Sequence, residues 1–230
     1  MFFFDINYLI YMIPAFILMA LTSWYVKSSY SKWSQVRARS GLTGADAARR
    51  LISSSGLYNV RLEGVAGEMT DHYDPTNKVL RLSQGVANRP SVASLAIAAH
   101  ELGHAMQDAE NYFPLRLRGA LVPAVNIGSN LGWILIMAGL LLNFTGLAWL
   151  GVIVFSAGAV FALATLPVEF DASARAKRLL ADSGIIVGED EQRGVNAVLN
   201  AAALTYVAAL VTAVMQLLYF VSLVGGRSRD

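Results

Sequence analysis

GALVPAVNIGSNLGWILIMAGLLLNFTGLAWLGVIVFSAGAVFALATLPV, residues 119–168, runs for 50 residues without a charged side chain. An α-helix needs about 20 apolar residues to cross the hydrocarbon core of a bilayer, so this stretch is long enough for two crossings. Asn143-Phe144-Thr145-Gly146 is its most polar and turn-prone point, which divides it into a helical hairpin of about 122–142 and 147–166. Two further stretches lack charge, 21 residues at 6–26 and 33 residues at 194–226. The first follows Asp5 and ends at Lys27. It has neither the basic leader nor the small-residue cleavage site of a secretory signal peptide, so 6–26 reads as a retained span. The last gives a fourth span near 203–224, preceded by a weakly amphipathic run from Gly194.

Composition agrees with this reading. The chain has 230 residues, 55% hydrophobic and only 15% charged, against about 25% charged in an average soluble protein. Disorder and a collagen-like fold are excluded by that balance, and no basic stripe of the kind a phosphate backbone requires accompanies the net charge of +2, so no nucleic acid is expected. With no cysteine, there is no disulfide framework and no thiolate nucleophile or metal ligand.

Orientation follows from basic residues, which stay on the cytoplasmic side of spans. Twelve Lys and Arg lie in 27–118 and four more in 169–193, which places both islands inside and leaves only Asn143–Gly146 outside between the hairpin helices. Arg227 and Arg229, on the outer tail, are a small departure from the rule. The expected organisation is an anchor at 1–26, a cytoplasmic part at 27–118, the membrane hairpin at 119–168, a cytoplasmic helix at 169–196, and a C-terminal span and tail at 197–230. The fold class is a mainly α integral membrane protein with about four transmembrane helices and a small cytoplasmic α+β domain.

The 27–118 island carries clear local signals. Thr43 caps a helix over 44–54 that Gly56 terminates. Residues 60–65 alternate like a short strand. Asp74-Pro75-Thr76-Asn77 is turn chemistry joining 70–73 to 78–83 as a hairpin, with Val79, Leu80 and Leu82 as strand formers. Pro90 and Ser91 then open an Ala- and Leu-rich helix running to about Glu110.

Inside that helix stands His100-Glu101-Leu102-Gly103-His104, an H-E-x-x-H motif. Residues four apart share a helix face, so both imidazoles can bind one zinc while Glu101 reaches a water there. A catalytic zinc needs a third protein ligand and an open position. His72 is the only other histidine. Carboxylates are available in Pro167-Val168-Glu169-Phe170-Asp171-Ala172-Ser173, where a helix begins that ends before Gly184; Glu169 and Asp171 lie about 200° apart around it, so one of the two faces the metal, and spacing leaves them rivals.

The run AAHELGHAMQ at 98–107, TDHYDPTNKVLRLS at 70–83, LPVEFDASARA at 166–176 and ALTYVAA at 203–209 resemble the YugP-type neutral zinc metallopeptidases of bacterial membranes over nearly the whole chain. More distantly, the chain is similar to the HtpX heat-shock proteases and the CaaX prenyl proteases, which place a membrane hairpin between H-E-x-x-H and a downstream E-x-x-x-D. The resemblance implies a zincin-like protease domain with Glu169 as third ligand of one zinc, beside His100 and His104, in a multi-pass protein of the bacterial inner membrane. The Asp expected four residues after that glutamate is Ser173 here. An orienting partner for a ligand imidazole is then to be found in Ser173, Asp171 or Asp108.

The implied chemistry is peptide hydrolysis. Zinc activates water and polarises the carbonyl, and Glu101 takes the proton and delivers it to the leaving amine. The oxyanion donor is expected in His72 or Tyr206; Tyr73, Arg116 and Arg118 are candidates for holding substrate, the arginines alternatively for lipid headgroups. The hairpin edge can receive an extended peptide by strand addition. Asn126, Ser129 and Asn130 are expected to hydrogen-bond other helices within the membrane. Partners are a peptide or membrane-protein substrate, lipid, and a regulatory membrane partner or second copy. Competing readings are an intramembrane-cleaving metalloprotease, opposed by the polar flank Gln107, Asp108 and Glu110, and a catalytically silent scaffold with a closed four-ligand site. A transporter is disfavoured because the spans hold no ionisable residue.

The absence of native cysteine makes single-cysteine labelling clean. Lys32→Cys, Asp108→Cys and Asp182→Cys should label only from the cytoplasmic side and Thr145→Cys only from outside; outside labelling of Asp182→Cys would part Glu169 from the two histidines and break the topology.

Overall fold

A computed structural model describes residues 6–227; Asp5 and Arg229, used above to frame the first span and the tail, lie outside them. The elements are α1 (Ile6–Ser34), α2 (Gly44–Ser54), β1 (Arg61–Val65), β2 (His72–Asp74), β3 (Val79–Ser83), α3 (Gln84–Ala87), α4 (Val92–Ala109), α5 (Phe113–Leu141), α6 (Thr145–Phe155), α7 (Ala157–Asp182) and α8 (Glu189–Arg227). They gather into two compact units, one of residues up to Thr22, Arg116–Leu166 and Thr205 onward, the other of Ser23–Leu115 and Pro167–Leu204.

The first unit draws on the four helices long and apolar enough to cross a membrane, α1, α5, α6 continued as α7, and α8. The hairpin turns where its polarity predicts, with Asn143 in the left-handed region at φ 50°, a conformation Asn tolerates better than most residues. Small residues set the approach of its arms: a Cβ on Gly139 would lie 2.4 Å from the backbone nitrogen of Ala148, the close packing that small side chains permit between membrane helices. Ile136, Leu140, Ala148, Val152, Tyr219, Phe220 and Val224 form this unit's buried cluster. Ser129 donates to the Val125 carbonyl of its own helix at 2.8 Å, where the sequence reading expects a bond to another helix; the i−4 carbonyl is simply the nearer acceptor.

Helices outrun the apolar stretches that mark them. Loss of apolar character ends what suits a membrane but does not end a helix, so α1 continues through Lys27 to Ser34 and α5 starts at Phe113 rather than near 122. α8 starts at Glu189 with Glu189, Asp190 and Glu191 in its first turn, where negative charge meets the positive end of the helix dipole. A new helix expected at Pro167 is instead the middle of α7, which runs through that proline at the loss of one backbone hydrogen bond.

The second unit is built from a capped helix, a small sheet and α4. Thr43 Oγ1 accepts from the Asp46 amide at 3.2 Å while Asp46 accepts from the Thr43 amide at 3.3 Å, a reciprocal capping box, and Ala47, Ala48 and Leu51 form the buried face of α2. Asp74 Oδ1 accepts the amides of Thr76 and Asn77 at 3.0 and 3.1 Å, closing the turn that pairs β2 antiparallel with β3, His72 opposite Arg81. β1 lies parallel on the other side of β3, giving the order β1-β3-β2. Val79, Leu80 and Leu82 on the middle strand are fully buried, and each such side chain contributes about 1.5–3 kcal/mol. Ser91 caps α4 by accepting from the Ser94 amide at 3.2 Å, and α4 then runs through the core cluster.

Thr43→Ala removes one half of the capping box and should lower stability by about 1 kcal/mol, measured as a shift in the denaturation midpoint of the detergent-solubilised protein.

Candidate metal centre

α4 carries His100, Glu101 and His104, the two histidines one turn apart, and α7 carries Glu169. The helices meet where α4 has no side chain. A Cβ on Gly103 would lie 2.5 Å from the carbonyl oxygen of Ala172, so the glycine of H-E-L-G-H is what lets the backbone of α7 come this close, one turn beyond Glu169.

The contact gathers His100, His104 and Glu169 into a group that could hold a metal ion, with one donor atom from each within 4.8 Å of the others. Glu169 Oε2 stands 3.3 Å from His100 Nε2 and 3.7 Å from His104 Nε2, and the side chains are 12%, 12% and 3% exposed in the order His100, His104, Glu169. The imidazoles meet edge to face, centroids 4.9 Å apart. Tetrahedral ligands about 2.0–2.1 Å from zinc stand about 3.4 Å from one another. Two imidazole nitrogens and one carboxylate oxygen at these separations fit zinc in both chemistry and spacing. Asp171, the rival carboxylate, is turned elsewhere, as its 200° offset on α7 requires, and accepts from Gln107 and Arg175.

Each imidazole has a partner at its other nitrogen. Ser173 Oγ lies 3.3 Å from His100 Nδ1, and Gln107 Oε1 lies 3.0 Å from His104 Nδ1. The Gln107 amide nitrogen donates to the Val168 carbonyl at 2.8 Å and to Asp171 at 2.9 Å, and Arg175 ties Asp171 to Glu110 at 2.6 and 2.7 Å. Asp108, the third residue considered for this task, instead accepts from the Tyr73 hydroxyl at 2.7 Å and from Lys78. Sequence reading took Gln107 as part of a polar flank, yet it is fully buried; its position three residues after His104, on the same helix face, is the signal that could have found it.

Glu101 receives the backbone N–H of Tyr73 on Oε2 at 3.0 Å, so β2 fixes the carboxylate beside the two histidines. Burial above all, with the charge of Glu169, raises the Glu101 carboxyl against the opposing pull of His100 and His104. Burial would lower His104, but the Glu169 carboxylate 3.7 Å away and the charge of Glu101 outweigh it and raise the imidazole. His72 does not join the gathered group. It is exposed, one residue before Tyr73, with Nδ1 2.8 Å from the Thr70 carbonyl and Nε2 3.4 Å from Arg81. Tyr206, Arg116 and Arg118 belong to the other unit.

Residues 8–225 match the family described as "Putative neutral zinc metallopeptidase". "Putative membrane protease YugP" of Bacillus subtilis (strain 168) is 48% identical over 206 residues, covering 89% of this chain and 91% of the relative. No solved structure matches the chain.

Gly103→Ala forces a methyl against backbone and should cost about 1–3 kcal/mol, whereas Gly119→Ala, where a Cβ meets nothing within 4 Å, should not destabilise; denaturation of the two purified variants compares them.

Proposed function

Because the chain belongs to the neutral zinc metallopeptidase family, we propose that it is a membrane-bound zinc endopeptidase in which His100, His104 and Glu169 hold one zinc ion and Glu101 is the general base. The observation that carries this is the convergence of those three ligand-type side chains from α4 and α7, with Glu101 held next to them by the Tyr73 amide. Zinc supplies Lewis acidity toward water and toward the scissile carbonyl when bound. Glu101 accepts the proton of the attacking water at its carboxylate and passes it to the departing amine. A carboxyl raised by burial is suited to both halves of that task, since a proton carrier works best with its pKa near the working pH.

β2 is an outer strand of the sheet, and its next use is as the edge on which an extended peptide lies, so that backbone conformation counts more than side chains in substrate choice. The oxyanion donor is His72, on that strand. The site faces the cytoplasm of the bacterial inner membrane; support for this comes from the sixteen Lys and Arg of the two islands flanking the hairpin. Substrates are peptides or membrane proteins presented at that surface.

Glu101→Gln should cut hydrolysis of a casein-type substrate by at least ~10²-fold with zinc content unchanged, since the proton carrier is lost and the ligands remain. Turnover equal to that of the unaltered protein would remove Glu101 from the mechanism.

A further inference from the structure

The amide of Gln107 has its orientation dictated from behind. Its nitrogen faces two groups that only accept, the Val168 carbonyl at 2.8 Å and the Asp171 carboxylate at 2.9 Å, and Arg175, whose own side chain is 12% exposed, donates to the same Asp171 oxygen at 2.6 Å. A flipped amide would set oxygen against oxygen at both contacts. The carbonyl end of Gln107 therefore points at His104 Nδ1, 3.0 Å away. An acceptor at Nδ1 requires the proton there, and a neutral imidazole with its proton on Nδ1 presents its lone pair at Nε2, the nitrogen 3.7 Å from Glu169 Oε2. Gln107 is 0% exposed, so solvent does not compete for these bonds.

We propose that Gln107 is a positioning residue that relays the polarity of Asp171 to His104, so that the carboxylate support absent at Ser173 reaches the site through the other histidine. At Nδ1, His100 meets the neutral hydroxyl of Ser173 at 3.3 Å, a longer contact than the one His104 makes to Gln107. The two imidazoles are thus held unequally, and His104 is the one fixed in tautomer and ring orientation. This rests on the zinc site proposed above and assigns Asp171 its place two links from His104.

The test is zinc affinity of the full-length protein in detergent, by competition with a chromophoric chelator, with the cobalt(II) absorption spectrum as a second readout of ligand geometry. Gln107→Leu should weaken zinc by about 10- to 100-fold and Ser173→Ala by less, with the cobalt bands shifted only in the former. Residues acting in series are not additive, so Gln107→Leu/Asp171→Asn should bind zinc within about twofold of Gln107→Leu. Asp171→Asn, at a partly exposed position, reads the relay should Gln107→Leu fail to fold. Unchanged affinity in Gln107→Leu and Asp171→Asn, or multiplying losses in the double variant, would overturn the relay while zinc binding by the unaltered protein, and its loss in His104→Ala, left the site itself standing. No zinc bound by the unaltered protein would overturn both.

Discussion

A carboxylate that is 3% exposed cannot be left without compensation, because removing its charge from water costs several kcal/mol unless opposite charge or hydrogen bonds replace the lost hydration. Glu169 is such a group, and two imidazole nitrogens stand 3.3 and 3.7 Å from its oxygen. Everything around it serves to bring those partners together. Gly103 lets α7 approach α4 to backbone contact at Ala172, the capped start of α4 at Ser91 fixes where the histidines stand along the helix, and Arg175 and Gln107 hold the far side of the pair. The second unit takes in both Ser23–Leu115 and Pro167–Leu204, so Glu169 meets the histidines although 65 residues separate it from His104 in the chain.

Within the first unit the hairpin is tight, with Asn143 in a left-handed conformation and Gly139 at the contact between its helices. α7 is one continuous helix that a proline at 167 does not stop. Glu169 is therefore carried by a helix and not by a loop, which is the arrangement that holds a side chain to within a fraction of an ångström.

Much of this was legible in the chain. The charge-free stretches locate the four long helices, Thr43 and Ser91 cap where their chemistry predicts, Asp74-Pro75-Thr76-Asn77 turns the hairpin, and H-E-x-x-H falls on a helix as its spacing requires. What stayed hidden depends on contacts distant in sequence. The parallel pairing of β1 with β3 has no local signature, since parallel register is set by packing and not by a turn. Helix ends were misjudged where hydropathy stood in for helicity, at Lys27–Ser34 and at Glu189. Spacing alone does not tell Glu169 from Asp171, because an angular offset says that they differ and not which one faces the two histidines. Gln107 was read by its polarity as a surface residue, and only its three partners reveal why a buried amide belongs there.

Metal analysis of the purified protein beside its Glu169→Ala and Asp171→Ala variants tests the central claim, that two histidines of α4 and the first carboxylate of α7's inner segment share one zinc. The account predicts one zinc per chain in the unaltered protein, little or none in Glu169→Ala, and retained zinc in Asp171→Ala with affinity lowered by no more than about 100-fold. Full zinc in Glu169→Ala together with loss in Asp171→Ala would contradict it.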